Sequence, residues 1–389
     1  MPRMIPYGRQ DIRQEDIDAV LEVLGSDFLT QGPRVPDFEA AVAAHTGAAH
    51  AVAMNSATSA LHIACLALGL GPGDWLWTSP NTFVASANCA LYCGAGVDFV
   101  DIDPRTFNMC PDALATKLEA AQAQGRLPKV VVPVAMCGQS CDMAVIRALA
   151  DRYGFKILED ASHAIGASYQ GRPVGSGAHA DITVFSFHPV KIVTTAEGGM
   201  AVTQDASLAR SMGYLRSHGV TRDADLMTHD SDGPWYYQQI DLGYNYRMTE
   251  MQAALGVTQM HRLEEYVTAR AAKAARYDGA LGDLPLDLPW QLPDTASSWH
   301  LYVVQLRLEE APLGHRALFE ALRADGIGVN LHYIPVHTQP YYRARGFKDG
   351  DFPAAEAYYA RAISLPLFAI MKDAQQDRVI EVLHTHLAS

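Results

Sequence analysis

Four segments of the chain set reactive side-chain types directly after apolar runs. Asn55-Ser-Ala-Thr-Ser59 follows one such run and opens a helical pattern, so its small residues and free N–H groups lie at the positive end of a helix dipole, where a phosphate binds well. Read alone, the same segment is an ordinary Ser/Thr helix cap. Pro80-Asn-Thr-Phe83 follows a second run and offers an aromatic face that could stack on a flat ring or simply pack in the core. Ile157-Leu-Glu-Asp160 ends a third run with two carboxylates. These could cap the following Ala-Ser-His-Ala turn, or Asp160 could hold a protonated ring nitrogen in a charge-assisted hydrogen bond. Finally, Thr183-Val-Phe-Ser-Phe-His-Pro-Val-Lys191 carries a strand into a loop, with Ser186 five residues before Lys191. A lysine after an apolar run is commonly a solvated surface residue, but an amine with its pKa lowered by desolvation can form a Schiff base. None of the four is specific singly. Phosphate cradle, stacking aromatic, acid and lysine, in that chain order, together match the needs of pyridoxal phosphate, whose protonated ring is an electron sink.

The elements that must position these residues follow a regular alternation. AVAMN (51–55), DWLWT, VDFVDI, KVVVPVA and FKILED (155–160) read as strands, separated by helical patterns through Leu68, through Tyr92, near 112–123 and near 142–153. DITVFSF and GGMAVT follow as further strands. Such alternation predicts right-handed crossovers around a mainly parallel sheet, with function at the carboxyl ends of its strands. One helix is expected from Thr249 to about Tyr277. The proline-punctuated GDLPLDLPWQLPDT then marks a boundary between a large α/β domain, 1–283, and a smaller α+β domain, 284–389. In the smaller domain HLYVVQLRL and IGVNLHY read as strands, and Leu313–Ala324 and Asp373–His386 as helices.

Composition removes several function classes. With 30 Lys and Arg against 43 Asp and Glu, the net charge is -13, whereas a nucleic-acid binder needs a concentrated basic face. No nucleic-acid partner is expected. No run approaches the roughly 20 apolar residues that span a bilayer, and the amino terminus turns charged where a secretory signal needs an apolar core. The expectation is a cytoplasmic protein without membrane contact. The six cysteines are too sparse for a disulfide scaffold, and neither C-x3-C pair lies near further ligands at zinc spacing, so no metal is expected. GLGPGD puts Asp where a dinucleotide fingerprint has its third Gly, and Walker, H-E-x-x-H, S-x-x-K and G-x-S-x-G motifs are absent.

At GSDFLTQGP, NSATSALHIA, EDASHAIGA, SFHPVKIVTTAEGGM, RSHG, GYNYRMTEMQAALG and HYIPVH, the chain resembles the DegT/StrS family of pyridoxal-phosphate sugar aminotransferases, within the aspartate-aminotransferase fold, over nearly its whole length. The resemblance implies that Lys191 is catalytic and carries the cofactor as a Schiff base, that Asp160 pairs with the ring nitrogen, and that His163 lies beside the ring. It implies that Ala57, Thr58 and Ser186 hold the phosphate and that Phe83 stacks on the cofactor. It also implies a homodimer with shared active sites, in which Asn245 reaches the neighbouring subunit's cofactor phosphate or substrate. Within the family, the SFHPVK-x-x-TT-x-EGG loop, IPYGRQ-x-I followed by SDFLTQGP, and TFVASAN most resemble enzymes of pseudaminic acid synthesis. These move the amino group of L-glutamate, leaving 2-oxoglutarate, to C4 of UDP-2-acetamido-2,6-dideoxy-β-L-arabino-hex-4-ulose, giving UDP-4-amino-4,6-dideoxy-N-acetyl-β-L-altrosamine. By position, Tyr7, Asp27, Phe28, Leu29, Thr30, Leu331, His332, Tyr333 and Ile334 would contact the nucleotide sugar, with Ala57, Ser186 and Asn245. The alternatives are another UDP- or dTDP-linked keto-sugar aminated at C3 or C4, a dehydratase of the family, in which His stands where Lys191 does here, and a sugar-nucleotide binder without turnover.

Overall fold

The computed structural model describes residues 4–388. Seven strands form the central sheet: β1 (His50–Met54), β2 (Trp75–Thr78), β3 (Gly96–Phe99), β4 (Val130–Val132), β5 (Lys156–Asp160), β6 (Ile182–Ser186) and β7 (Gly199–Thr203). Their order is β1-β7-β6-β5-β4-β2-β3. β6, β5, β4, β2 and β3 pair in parallel, and β7 lies antiparallel to both β1 and β6. The sheet is mainly parallel, with β7 reversed. Helices cover both faces, so β4, β6 and β7 are buried at every position, as strands covered on both sides must be.

Several of the helices that follow strands are fixed by local caps or turn residues. α1 (Gln14–Leu24) and α2 (Arg34–Thr46) precede the sheet, and α3 (Ala57–Ala67) starts on Ser56, whose hydroxyl accepts from Ser59 N. α4 (Ala85–Tyr92) follows β2, and α5 (Pro111–Ala123) begins with proline at its first position, where no N–H is needed. α6 (Met143–Tyr153) is capped by Asp142, and α7 (Ala206–Leu215) by Asp205. Because β1, β2, β5 and β6 run the same way, Asn55–Ser59, Pro80–Phe83, Asp160 and the loop after Ser186 emerge at one edge.

Two expectations are corrected. The helix expected over 249–277 is two helices, α8 (Glu250–Met260) and α9 (Leu263–Leu281). Thr249 caps α8 in a reciprocal capping box with Gln252. The break falls at Arg262, whose buried guanidinium donates to Asp16 Oδ2 at 2.6 Å, to Glu15 Oε1 at 2.5 Å and to Tyr266 Oη at 2.8 Å. Breaking such a buried pair costs about 3–5 kcal/mol, which outweighs one helical hydrogen bond. IGVNLHY is not a strand: it makes only isolated bridges, Ile327 with Ile5 and Asn330 with Ser364.

Past Gly282 the chain builds a second sheet in which Leu286–Asp287 and Ala362–Leu365 flank Tyr302–Leu306, all antiparallel. α10 (His315–Ala324) and α11 (Asp373–Leu387) cover it. Its core includes Ile5 and also Ala274, Tyr277 and Leu281 of α9. A cut between 283 and 284 therefore separates the two sheets but runs through a shared core. Among the described residues no helix is long and apolar enough to cross a membrane, and no cluster of His, Cys, Asp and Glu is placed to hold a metal ion.

Candidate active site

A cleft of about 580 Å³ opens at that edge of the large sheet, between it and the segment 330–333. Its floor is Asp160, the last residue of β5. Side chains alternate along a strand, so the adjacent Glu159 points to the other face, where Thr183 Oγ1 donates to it at 2.9 Å and burial raises its pKa to about 7. Asp160 is buried in the cleft and both its oxygens accept: Oδ2 from Ser86 Oγ at 2.6 Å and Oδ1 from Ser162 N at 3.1 Å.

Lys191 lies in the loop after β6. That loop is held by Lys191 N donating to His188 O at 2.9 Å, and by Thr194 Oγ1 and Thr195 N donating to Phe187 O. Burial lowers the Lys191 pKa to about 8, and the Asp160 charge pulls it back up only in part. About a tenth of the amine is thus neutral at pH 7, far more than for an ordinary lysine, as an amine that must attack a carbonyl requires.

At the other end of the cleft the amides of Ala57 and Thr58, the first two of α3, make no hydrogen bond among the described residues, and Ser186 also lines the cleft. Gly199, first in β7, abuts this helix start: a Cβ there would sit 2.4 Å from Ala57 N. His163 Nε2 contacts Tyr333 Oη at 3.1 Å, while its buried Nδ1 has no partner among the described residues. Burial holds the Tyr333 phenol well above its usual range, so it keeps its O–H and pairs with His163 Nε2, which leaves the Nδ1 of His163 available to a bound group. Burial also keeps the imidazole neutral, with Lys191 nearby adding to the effect. Phe83 is exposed at the cleft mouth, its ring 6.1 Å from that of Tyr333. An anion cradle, an exposed ring face, an acid with committed geometry, an unpartnered ring nitrogen and a lysine of lowered pKa fit pyridoxal phosphate.

The structure brings Tyr7, Ala57, Thr58, Phe83, Asp160, His163, Ser186, Lys191, Leu331, His332 and Tyr333 to this one cleft. Asp27, Phe28, Leu29, Thr30, Ile334 and Asn245 do not line it. Asp27–Thr30 and Asn245 are exposed, with Thr30 bridged to Thr249 and Asn245 to Ser217. Sequence reasoning missed Ser86, Thr82, His300 and Asn330. His300 packs its ring 4.3 Å from His163, and Asn330 faces His332 at the mouth. Ser86 lies three residues past Phe83 as the second residue of α4, and nothing in its own segment marks it as reaching the site.

Fold and site define a pyridoxal-phosphate aminotransferase, and the chain belongs to the DegT/DnrJ/EryC1/StrS aminotransferase family, whose model matches residues 10–384. It is a sugar aminotransferase, and its cofactor is pyridoxal phosphate. The spore coat polysaccharide biosynthesis protein SpsC of Bacillus subtilis is 43% identical over 382 residues, covering 97% of this chain and 96% of that protein. Helicobacter pylori PseC, an aminotransferase involved in the biosynthesis of pseudoaminic acid, superposes with a TM-score of 0.90 at 31% identity over 99% of both chains. Streptomyces venezuelae DesV, solved in complex with a ketimine intermediate, gives 0.87 at 32% identity over 98% of both.

Proposed function

We propose that the protein moves the amino group of L-glutamate to C4 of a UDP-linked 4-keto-6-deoxy-N-acetylhexosamine, UDP-2-acetamido-2,6-dideoxy-β-L-arabino-hex-4-ulose. The product would be UDP-4-amino-4,6-dideoxy-N-acetyl-β-L-altrosamine. The observation that carries this reading is the likeness to PseC over 99% of both chains, joined to a cleft whose lysine loop keeps the SFHPVK form. When bound, the cofactor supplies an electron sink for breaking the bond to the donor's α-hydrogen. The chain's residues do the rest. Lys191 holds the cofactor and, once released as the free amine, takes and returns the proton, a task suited to a pKa of about 8. Asp160 anchors the ring nitrogen, and the α3 amides with Ser186 hold the phosphate. Tyr7, Asn330, Leu331, His332 and Tyr333 form the wall that meets the sugar.

Asn245 and Asp27–Thr30, exposed and outside their own cleft, would complete the cleft of a second copy in a cytoplasmic homodimer. Mixing inactive Lys191→Ala with Asn245→Ala tests this sharing, because only shared sites let hybrid dimers recover activity. The higher identity to SpsC than to PseC favours one second reading, a different keto-sugar nucleotide destined for a surface polysaccharide. Incubation with glutamate and the UDP-keto-sugar, followed by mass spectrometry of the product, decides between them. A mass gain matching amine for ketone supports the proposal. No product from this sugar, but amination of another UDP- or dTDP-linked keto-sugar, supports the second reading.

A further inference from the structure

Behind Asp160 lies a chain of two buried hydroxyls that the family comparison does not assign. Ser86 Oγ donates to Asp160 Oδ2 at 2.6 Å, and Thr82 Oγ1 lies 2.7 Å from Ser86 Oγ. Ser86 is fully buried and Thr82 nearly so. Ser86 has a single hydrogen, and three acceptors compete for it: the Asp160 carboxylate at 2.6 Å, Thr82 Oγ1 at 2.7 Å and the Phe83 carbonyl at 3.4 Å. Charge and distance both give it to Asp160. Ser86 can then only accept from Thr82, so the order of hydrogens is fixed as Thr82 to Ser86 to Asp160. With the Ser162 amide on the other oxygen, the carboxylate is held in one orientation by two donors, one on each oxygen. The other titratable groups whose charge couples to Asp160 are Lys191, Glu159 and Tyr333.

We propose that Ser86, supported by Thr82, is a positioning residue that holds the Asp160 carboxylate turned toward the cofactor's ring nitrogen, and through it keeps that nitrogen protonated. Thr82 and Ser86 flank Phe83 in sequence, so the segment that presents the aromatic also fixes the acid. The inference rests on the assignment of Asp160 to the ring nitrogen, and the test separates the two.

The protein is loaded with cofactor carrying ¹⁵N in the ring. The ring ¹⁵N signal is followed by NMR from neutral to alkaline pH, and the cofactor dissociation constant is measured, for wild type, Ser86→Ala, Thr82→Val and Asp160→Asn. Loss of one hydrogen bond to a charged group predicts about tenfold weaker cofactor binding in Ser86→Ala, with a ring nitrogen that turns neutral at a pH where wild type stays protonated. Thr82→Val, nearly isosteric, shifts both quantities the same way by less, and decides the matter if Ser86→Ala does not fold. A purely structural role would lower thermal stability but leave the ¹⁵N titration unmoved. If Ser86→Ala and Thr82→Val keep the wild-type titration while Asp160→Asn loses it, the relay is overturned. If Asp160→Asn also keeps it, the assignment of Asp160 itself fails.

Discussion

The two walls of the cleft are built by different means. The cofactor wall comes from the carboxyl ends of β1, β2, β5 and β6, each followed by its own cap, turn or loop inside one sheet. The wall proposed to meet the sugar comes from Tyr7 near the amino terminus and from Asn330–Tyr333, some 320 residues later, held by single bridges and side-chain contacts such as His332 Nδ1 with Ser364 Oγ at 2.8 Å. A parallel sheet brings chemistry together by topology alone, whereas a wall made of loops depends on each long-range contact. Mutations in the first wall should therefore abolish the reaction with glutamate, and mutations in the second should spare it.

Lys191→Ala gives the largest effect. Removing the acid/base group costs about 10²–10⁴-fold in the conversion of the bound cofactor by glutamate, read in stopped-flow absorbance. Asp160→Ala follows, with cofactor binding weakened about 10–100-fold, as expected for a lost hydrogen bond between charged groups. A cofactor affinity within twofold of wild type would break the account of this wall. Gly199→Ala drives a Cβ to 2.4 Å from Ala57 N, where backbone on both sides cannot yield. About 1–3 kcal/mol of stability should be lost in thermal unfolding, together with cofactor retention.

The Lys191 pKa sharpens the same comparison. Only the neutral amine reacts with acylating or carbonyl reagents, and lowering its pKa from 10.5 to about 8 raises the neutral fraction at every pH below that range. In the cofactor-free protein, modification of Lys191 followed by peptide mass spectrometry should rise with pH to a midpoint near 8 and level off above it. A midpoint near that of an ordinary lysine would show that the cleft does not desolvate the amine. The smallest effect is expected from the second wall. Asn330→Ala should leave the glutamate half-reaction unchanged and raise the KM for the keto-sugar about fivefold, the worth of roughly one hydrogen bond. Loss of the glutamate half-reaction in this variant would show that the two walls are not separable.

The same contrast explains what could be seen in the sequence. The strands of the large sheet and the residues that follow them were legible because apolar runs, caps and turn residues are local signals. Asp160 and Lys191 could be paired because a strand and one loop separate them. The break between α8 and α9 was not legible, since no Gly or Pro marks it: Arg262 leaves the helix to meet Asp16, about 246 positions away. IGVNLHY alternates like a strand, yet no neighbouring strand is placed to pair along it. Asp27–Thr30 and Asn245 were singled out by resemblance only, and nothing in their own segments says which cleft they serve. Ser86 was overlooked because a serine inside a helix carries no mark of function until the strand it faces is known.

The most direct test of the central claim is the absorbance spectrum of the purified protein before and after glutamate, with Lys191→Ala alongside. A visible band in wild type that is lost on adding glutamate and restored by the UDP-keto-sugar, with no such conversion in the variant, is the predicted result. No band in wild type even after adding pyridoxal phosphate, or conversion that proceeds equally well in Lys191→Ala, would contradict it.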